Sequence, residues 1–188
     1  INPTAIIKKV NKDIISEKIQ KYKKIKQSPQ NTKEWFEFRW NLLSASSMWK
    51  SMGSQASQNQ LIYKKCCPLR AHQTHSNISS TLHHGHKYEP LSTIFYEYLY
   101  DTKIWEVGCK KHFEYDYIGA SPDGINIKED NERYGRMLEI KNIVNREITG
   151  IPKSEYWIQM QIQMEVWDLE ECDFLETRFT EYEDEGAF

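Results

Sequence analysis

Four residues near the middle of the chain have types and spacing that could do chemistry. Glu139-Ile140-Lys141 lies in an apolar run that reads as a strand over 136–143, where residues two apart point to the same face. Glu139 and Lys141 therefore share one side, and Ile140 points into the core. Asp123 sits in Pro122-Asp123-Gly124, a turn signal next to a strand that could pair beside 136–143. Glu89 belongs to a helical stretch that can lie across such a sheet. Carboxylates converging at a strand edge form an oxygen-rich pocket suited to Mg2+, which takes hard oxygen ligands and retains several waters. Such an ion orients a water, lowers its pKa and neutralises charge on a phosphate under in-line attack. A lysine beside it stabilises the charge that develops on the phosphate. The chemistry expected is metal-dependent phosphodiester hydrolysis.

An acid two residues before a lysine is weak evidence alone. Chance places roughly three such pairs in a chain with this many acids and lysines. The other pair present, Asp101-Thr102-Lys103, falls at an expected helix end with no apolar strand around it. Taken singly, Glu139/Lys141 would be an exposed ion-pair face and Asp123 a turn former. The ordered set carries the reading.

The elements that must position these residues are legible as periodic patterns. An amphipathic helix is expected over 5–26, with Ile7, Val10, Ile14, Tyr22 and Ile25 on its apolar side, Ile15 and Ile19 beside them, and lysines elsewhere. A second is expected from Asn31 or Thr32 to about Arg39, with Asn31 and Glu34 resembling a capping box. A short helix is expected over 44–52, and a polar loop over 53–60. The stretch 86–101 reads as a helix with Tyr88, Leu91, Phe95, Tyr98 and Leu99 on one stripe and Pro90 in its first turn. Strands are expected at 104–109, 112–118, 125–128, 136–143 and 172–179. A helix is expected over 154–167, with Trp157, Met160, Met164 and Trp167 packed inward; Gln159 and Gln163 share its polar stripe. The acidic end, 181–185, is expected to fray. This order predicts a single α/β domain over 1–188, with a central mixed sheet flanked by helices.

Composition narrows the class. With 39% hydrophobic and 13% aromatic residues among 188, the chain can bury a core. No apolar run reaches the roughly 18 residues of a membrane span, and the first residues, INPTAIIKKV, have no secretory signal pattern. The absence of an initiating Met suggests an excised segment. Cys66, Cys67, Cys109 and Cys172 form no C-x-x-C pair, which points away from a zinc ribbon and toward reduced intracellular thiols. His83, His84 and His86, even with Cys66 and Cys67, match no usual zinc spacing. The net charge of −2 hides an asymmetry: residues 1–65 carry 13 Lys/Arg against 4 Asp/Glu, and the remainder 12 against 23. A polyanion would be drawn to the first third.

The motifs EWFEFRWNLLSAS (34–46), HHGHKYEP (83–90), GASPDG (119–124), LEIK (138–141) and YWIQMQIQM (156–164) stand in the order found in the lambda-exonuclease, or YqaJ-like viral recombinase, branch of the PD-(D/E)xK nucleases. The chain resembles that family, with wording similar to versions from large eukaryotic DNA viruses. The resemblance implies a restriction-endonuclease-like fold and a Mg2+-dependent 5′→3′ exonuclease on linear double-stranded DNA, with Mn2+ as an alternative metal and two ions in the site. It implies Glu89, Asp123 and Glu139 as metal-site acids, the Ile140 carbonyl as a further ligand, Lys141 as catalytic lysine and Gln159 as the active-site glutamine. Arg39, Ser46 and Ser121 are implied for the terminal 5′ phosphate, although Arg39 between Trp35 and Trp40 could instead simply stack on a ring. Implied partners are duplex DNA ends, a single-strand annealing protein and further copies in a trimer, with no membrane. An intracellular place, at the site of DNA replication, goes with them. Two alternatives remain open at this stage: an endonuclease on DNA or RNA using the same core, and a catalytically silent nucleic-acid-binding module.

Overall fold

The computed structural model describes residues 12–30, 32–68 and 81–187. In chain order its elements are α1 (Lys12–Lys23), α2 (Lys33–Trp40), β1 (Leu43–Ser44), α3 (Ala45–Met48) continuing into a 3-10 turn (Trp49–Met52), α4 (Gln55–Cys66), α5 (Thr81–Leu99), β2 (Ile104–Trp105), β3 (Lys110–Lys111), β4 (Ile118–Ala120), β5 (Gly124–Asn126), β6 (Met137–Asn142), α6 (Ser154–Trp167) and β7 (Cys172–Thr177). The strands form two sheets, ordered β1-β4-β3 and β2-β5-β6-β7. In the larger one, β5 runs antiparallel to β6 with Gly124 opposite Leu138, and β7 runs parallel to β6 with Glu139 opposite Phe174. The expected mixed α/β architecture is present, with its strands divided between two sheets.

Strand alternation on β6 decides where the acid goes. Met137 joins Ile15, Ile19 and Tyr22 of α1 and Val166 and Trp167 of α6 in one core. Leu138 and Ile140 join Tyr96 of α5 and Ile104 of β2 in another. Glu139 and Lys141 share the Met137 parity, so they meet α6, while Ile140 goes into the α5-side core as expected. Trp167 pins α6 in place: its indole Nε1 donates to the Ala120 carbonyl at 3.2 Å, and its own carbonyl accepts from Tyr22 Oη at 2.6 Å. The helix ends at Asp168 in a left-handed conformation (φ 53°), where Lys18 Nζ reaches the Asp168 carbonyl at 2.7 Å.

Several sequence expectations are corrected. The first helix is described from Lys12, residues 1–11 lying outside the described residues; it buries Ile15, Ile19 and Tyr22, whereas Ile14 and Ile25 are exposed. The cap of α2 is Thr32, one of the two expected starts, whose hydroxyl accepts from the Trp35 amide; Asn31, and with it the expected Asn31/Glu34 box, lies outside the described residues. The polar stretch taken as a loop is mostly α4, whose capping Ser54 accepts from the Ser57 amide and which buries only Leu61. One anchoring residue leaves no apolar period to read. The expected strand 104–109 shrinks to β2, and 112–118 is largely a turn between β3 and β4, because His112 Nδ1 accepts the amides of Glu114 and Tyr115 and folds the chain back.

Helix α5 departs furthest from its expected course. It begins at Thr81, so Pro90 stands in its interior, where it cannot donate to the His86 carbonyl and the helix loses one bond. The face turned to the sheet carries Tyr88, Ser92 and Tyr96, while Leu91, Phe95, Tyr98 and Leu99 are exposed. Polar contacts select that face: Ser92 Oγ donates to Asn142 Oδ1 at 2.6 Å, and Tyr96 Oη donates to Asp173. Trp157 on α6 is likewise 54% exposed rather than core.

Gly124, which follows the candidate acid Asp123, permits β2 to pair closely with β5. A Cβ there would stand 2.2 Å from Ile104 Cγ2 and 3.1 Å from the Trp105 carbonyl oxygen. Gly124→Ala is therefore expected to lower stability by about 1–3 kcal/mol, the usual range for overpacking, read as a shift in the urea midpoint.

Candidate metal and phosphate site

Glu139 is the buried centre of the site, with 1% of its surface exposed. Its Oε1 accepts from Lys141 Nζ and from Gln159 Nε2 at 2.7 Å. Its Oε2 accepts from Gln163 Nε2 at 2.7 Å. Gln159 and Gln163 are one helical turn apart on α6, so one face of that helix presents two amides to one carboxylate. Lys141 Nζ also stands 3.5 Å from Gln159 Oε1 and 4.9 Å from the centre of the Tyr156 ring. Burial alone would pull the Lys141 ammonium down, but the Glu139 and Asp123 carboxylates outweigh it and hold it above the ordinary lysine value. Lys141 is thus a fixed cation at neutral pH.

Asp123 is held against the same strand at the two residues that flank Glu139. Its backbone amide donates to the Leu138 carbonyl at 3.1 Å, and its Oδ2 accepts from the Ile140 amide at 2.6 Å. Burial first, and then the neighbouring Glu139 and Glu89 charges, push the Asp123 carboxyl well above the usual carboxylate range; Lys141 and the Ile140 amide pull back more weakly. Glu89, on α5, faces His86 at 3.6 Å. Glu89 and Asp123 share a cavity of about 530 Å3 whose walls also include Gln27, His86, Trp105 and Glu106.

The donors fit a divalent cation in their chemistry. Asp123, Glu139, Glu89 and the Ile140 carbonyl are all oxygen, the preference of Mg2+ and Mn2+. The raised Asp123 carboxyl marks a concentration of negative charge that such an ion would offset. Among the described residues no three His, Cys, Asp or Glu side chains stand as a ready-made cage, and both oxygens of Glu139 are engaged by Lys141, Gln159 and Gln163.

A second group of residues lies beside the first. The Arg39 guanidinium stacks 4.1 Å over the Trp35 ring, and its Nη2 donates to Ser46 Oγ at 3.2 Å. Stacking and the serine contact therefore coexist. Burial lowers the Arg39 pKa, against which Cys109 and Glu139 act. Ser44 Oγ lies 3.3 Å from Ser46 Oγ and 2.8 Å from Ser47 Oγ. Ser121 Oγ is buried with no hydrogen-bond partner among the described residues.

Lys65 and Tyr156 carry no signal in the sequence pattern, and Gln163 shows there only as a stripe with Gln159 that would suit phosphate handling beside a carboxylate pocket. Lys65 Nζ donates to the carbonyls of Arg39 (3.3 Å) and Trp40 (2.9 Å), capping α2 with a positive charge; no local pattern could have shown this. The Gln159–Gln163 stripe turns out to be buried. The side chains of His83 and His84 lie outside the described residues, and the four cysteines are free thiols. No helix among the described residues is long and apolar enough to cross a membrane.

Comparison with known proteins places the chain. The model of the YqaJ-like viral recombinase domain matches residues 34–182. An uncharacterised protein of Acanthamoeba polyphaga mimivirus is 32% identical over an alignment 178 residues long, which covers 86% of this chain and 31% of that protein. This chain thus spans about a third of the length of that curated relative. The crystal structure of an alkaline exonuclease (LHK-Exo) from Laribacter hongkongensis matches with a TM-score of 0.63 and 29% identity, over 78% of this chain and 74% of the other. LHK-Exo in complex with dAMP matches with a TM-score of 0.62 and 31% identity, over 77% and 73%. The fold is the restriction-endonuclease-like one expected from the motifs.

The crowded acids make a prediction about pH. Folded Asp123 binds its proton more tightly than unfolded Asp123, so its contribution to stability is complete below the ordinary aspartate value and is lost as pH rises through its raised value. In chelator, the melting temperature should fall as pH increases above about 4 toward neutrality. Asp123→Asn should flatten that slope and melt higher than the unaltered protein at neutral pH. Mg2+ should raise the melting temperature of the unaltered protein more than that of the variant.

Proposed function

The chain belongs to the YqaJ-like viral recombinase family, and we propose that it is a metal-dependent deoxyribonuclease digesting linear double-stranded DNA from the 5′ end, leaving 3′ single strands for recombination or repair. The observation that carries this reading is the meeting of Glu139, Lys141 and Gln159 with Asp123 on the Ile140 amide, beside the Arg39–Ser46 pair. A binding module would have no need to bury a carboxylate under three donors next to two more acids.

In this reading Asp123, Glu139 and the Ile140 carbonyl hold Mg2+ or Mn2+, and Glu89 completes the site of a second ion. Bound there, the ions supply water activation and charge neutralisation at the scissile phosphate. Lys141, kept protonated by its acidic neighbours, is suited to electrostatic stabilisation of developing charge rather than to proton abstraction. Gln159 directs its carbonyl toward Lys141 and its amide toward Glu139, which orients both groups and leaves it placed to order a water. Arg39, pre-stacked on Trp35, needs little rearrangement to grip phosphate oxygens. The hydroxyls of Ser46 and Ser121 complete a seat for a terminal 5′ phosphate. Partners in this reading are duplex DNA ends, a single-strand annealing protein that receives the 3′ strand, and further copies of the chain in a trimer. The expected setting is the site of viral DNA replication inside the host cell.

With Mg2+, a 5′-phosphorylated linear duplex should be degraded faster than a 5′-hydroxyl duplex, and closed circles should survive. Lys141→Ala should lose at least about 100-fold in rate, as removal of a preorganised charge-stabilising group does. Arg39→Ala should erase the preference for the phosphorylated end while leaving slow cleavage. Cut circles would move the assignment to an endonuclease; no cleavage with Mg2+ or Mn2+ would remove the nuclease reading altogether.

A further inference from the structure

Gln163 is wholly buried, with 0% of its surface exposed, in a helix whose neighbouring inward positions are Met160, Val166 and Trp167. A buried primary amide in such surroundings needs a reason, since each unpaired polar atom there costs stability. One half of its amide is accounted for: Nε2 donates to Glu139 Oε2 at 2.7 Å. The other half is not, because Oε1 has no hydrogen-bond partner among the described residues. Packing alone would be served better by Met or Leu, which fill comparable space without an orphaned carbonyl.

The division of labour on Glu139 suggests what the amide does. Lys141 and Gln159 both act on Oε1, whereas among the described residues only Gln163 donates to Oε2. The last torsion of a glutamate side chain is broad. Donors on one oxygen therefore leave the carboxylate plane free to turn about that oxygen, and a donor on the second oxygen is what fixes it. We propose that Gln163 is a positioning residue of the metal site: by pinning Oε2 it sets the orientation in which Glu139 meets the cation that Asp123 shares. Outer groups that orient a metal-binding carboxylate typically govern 10–100-fold in metal affinity. The proposal rests on the reading of Glu139 as a metal-site acid, and it adds a donor from α6 to the glutamine that the motif implied.

The test is a thermal melt of the DNA-free protein titrated with Mg2+ and with Mn2+. Gln163→Met should raise the cation concentration giving half of the melting-temperature increase by about 10–100-fold. Gln163→Leu, with a different apolar shape, should do the same. Met160→Ala, which loosens the packing of α6 and removes no hydrogen bond to Glu139, should lower the melting temperature and leave the midpoint in place. In DNA hydrolysis, the Gln163 variants should need correspondingly more Mg2+ yet regain most of the rate at saturation. An unchanged midpoint in both Gln163 variants, or an equal shift in Met160→Ala, overturns the proposal and leaves Gln163 as a packing residue. A wild-type protein whose melting is insensitive to both cations would instead sink the metal-site reading on which it rests.

Discussion

A carboxylate cannot be taken out of water without partners, and Glu139 is 99% removed from it by the 1% exposure of its residue. The desolvation of one charge here is offset by an ammonium and two amides, from Lys141, Gln159 and Gln163. Because breaking such a buried set leaves an uncompensated charge, the register of β6 against α6 is tightly constrained. The Trp167 contacts with Ala120 and Tyr22 keep α6 in that register from its far end. Strand β6, helix α6 and the contacts of Trp167 form the scaffold that holds this acid buried under its three donors.

The same strand concentrates charge that the protein alone does not neutralise. Asp123 is fastened to the Ile140 amide and feels Glu139 and Glu89 as repulsive neighbours, with Lys141 the main local relief. This is stored electrostatic cost at a cavity wall, and a divalent cation is the simplest species that would discharge it. In the proposed reading stability and function are opposed there, as is common where acids are gathered for metal chemistry. The cavity shared by Glu89 and Asp123 depends on α5, whose interior Pro90 leaves one helical carbonyl, that of His86, without its usual donor.

The phosphate-directed side is built differently, from short elements and side-chain contacts. Arg39 comes from α2, its stacking partner Trp35 from one turn earlier, and the serines from the β1–α3 junction. Lys65 reaches back from α4 to close the end of α2. These groups belong to the basic first third of the chain, whereas the acids belong to the acidic remainder. The charge asymmetry read from composition therefore matches a division between the proposed phosphate seat and the proposed cation site.

The amino-acid sequence by itself determined the mixed α/β class, α6 to the residue, the shared face of Glu139 and Lys141, and the family. These follow from local periodicity and ordered short motifs, which are properties of contiguous residues. Tertiary structure alone decided the rest. Leu91, Phe95, Tyr98 and Leu99 of the expected α5 stripe face outward, with only Tyr88 turned in, because Ser92 and Tyr96 have partners on Asn142 and Asp173, residues remote in sequence. The helix α4 was hidden because one buried leucine sets no period. The Gln159–Gln163 stripe read as polar surface until β6 placed a buried carboxylate beneath it. A pattern along one element shows which residues share a face, but what that face meets depends on a partner that the local pattern does not contain.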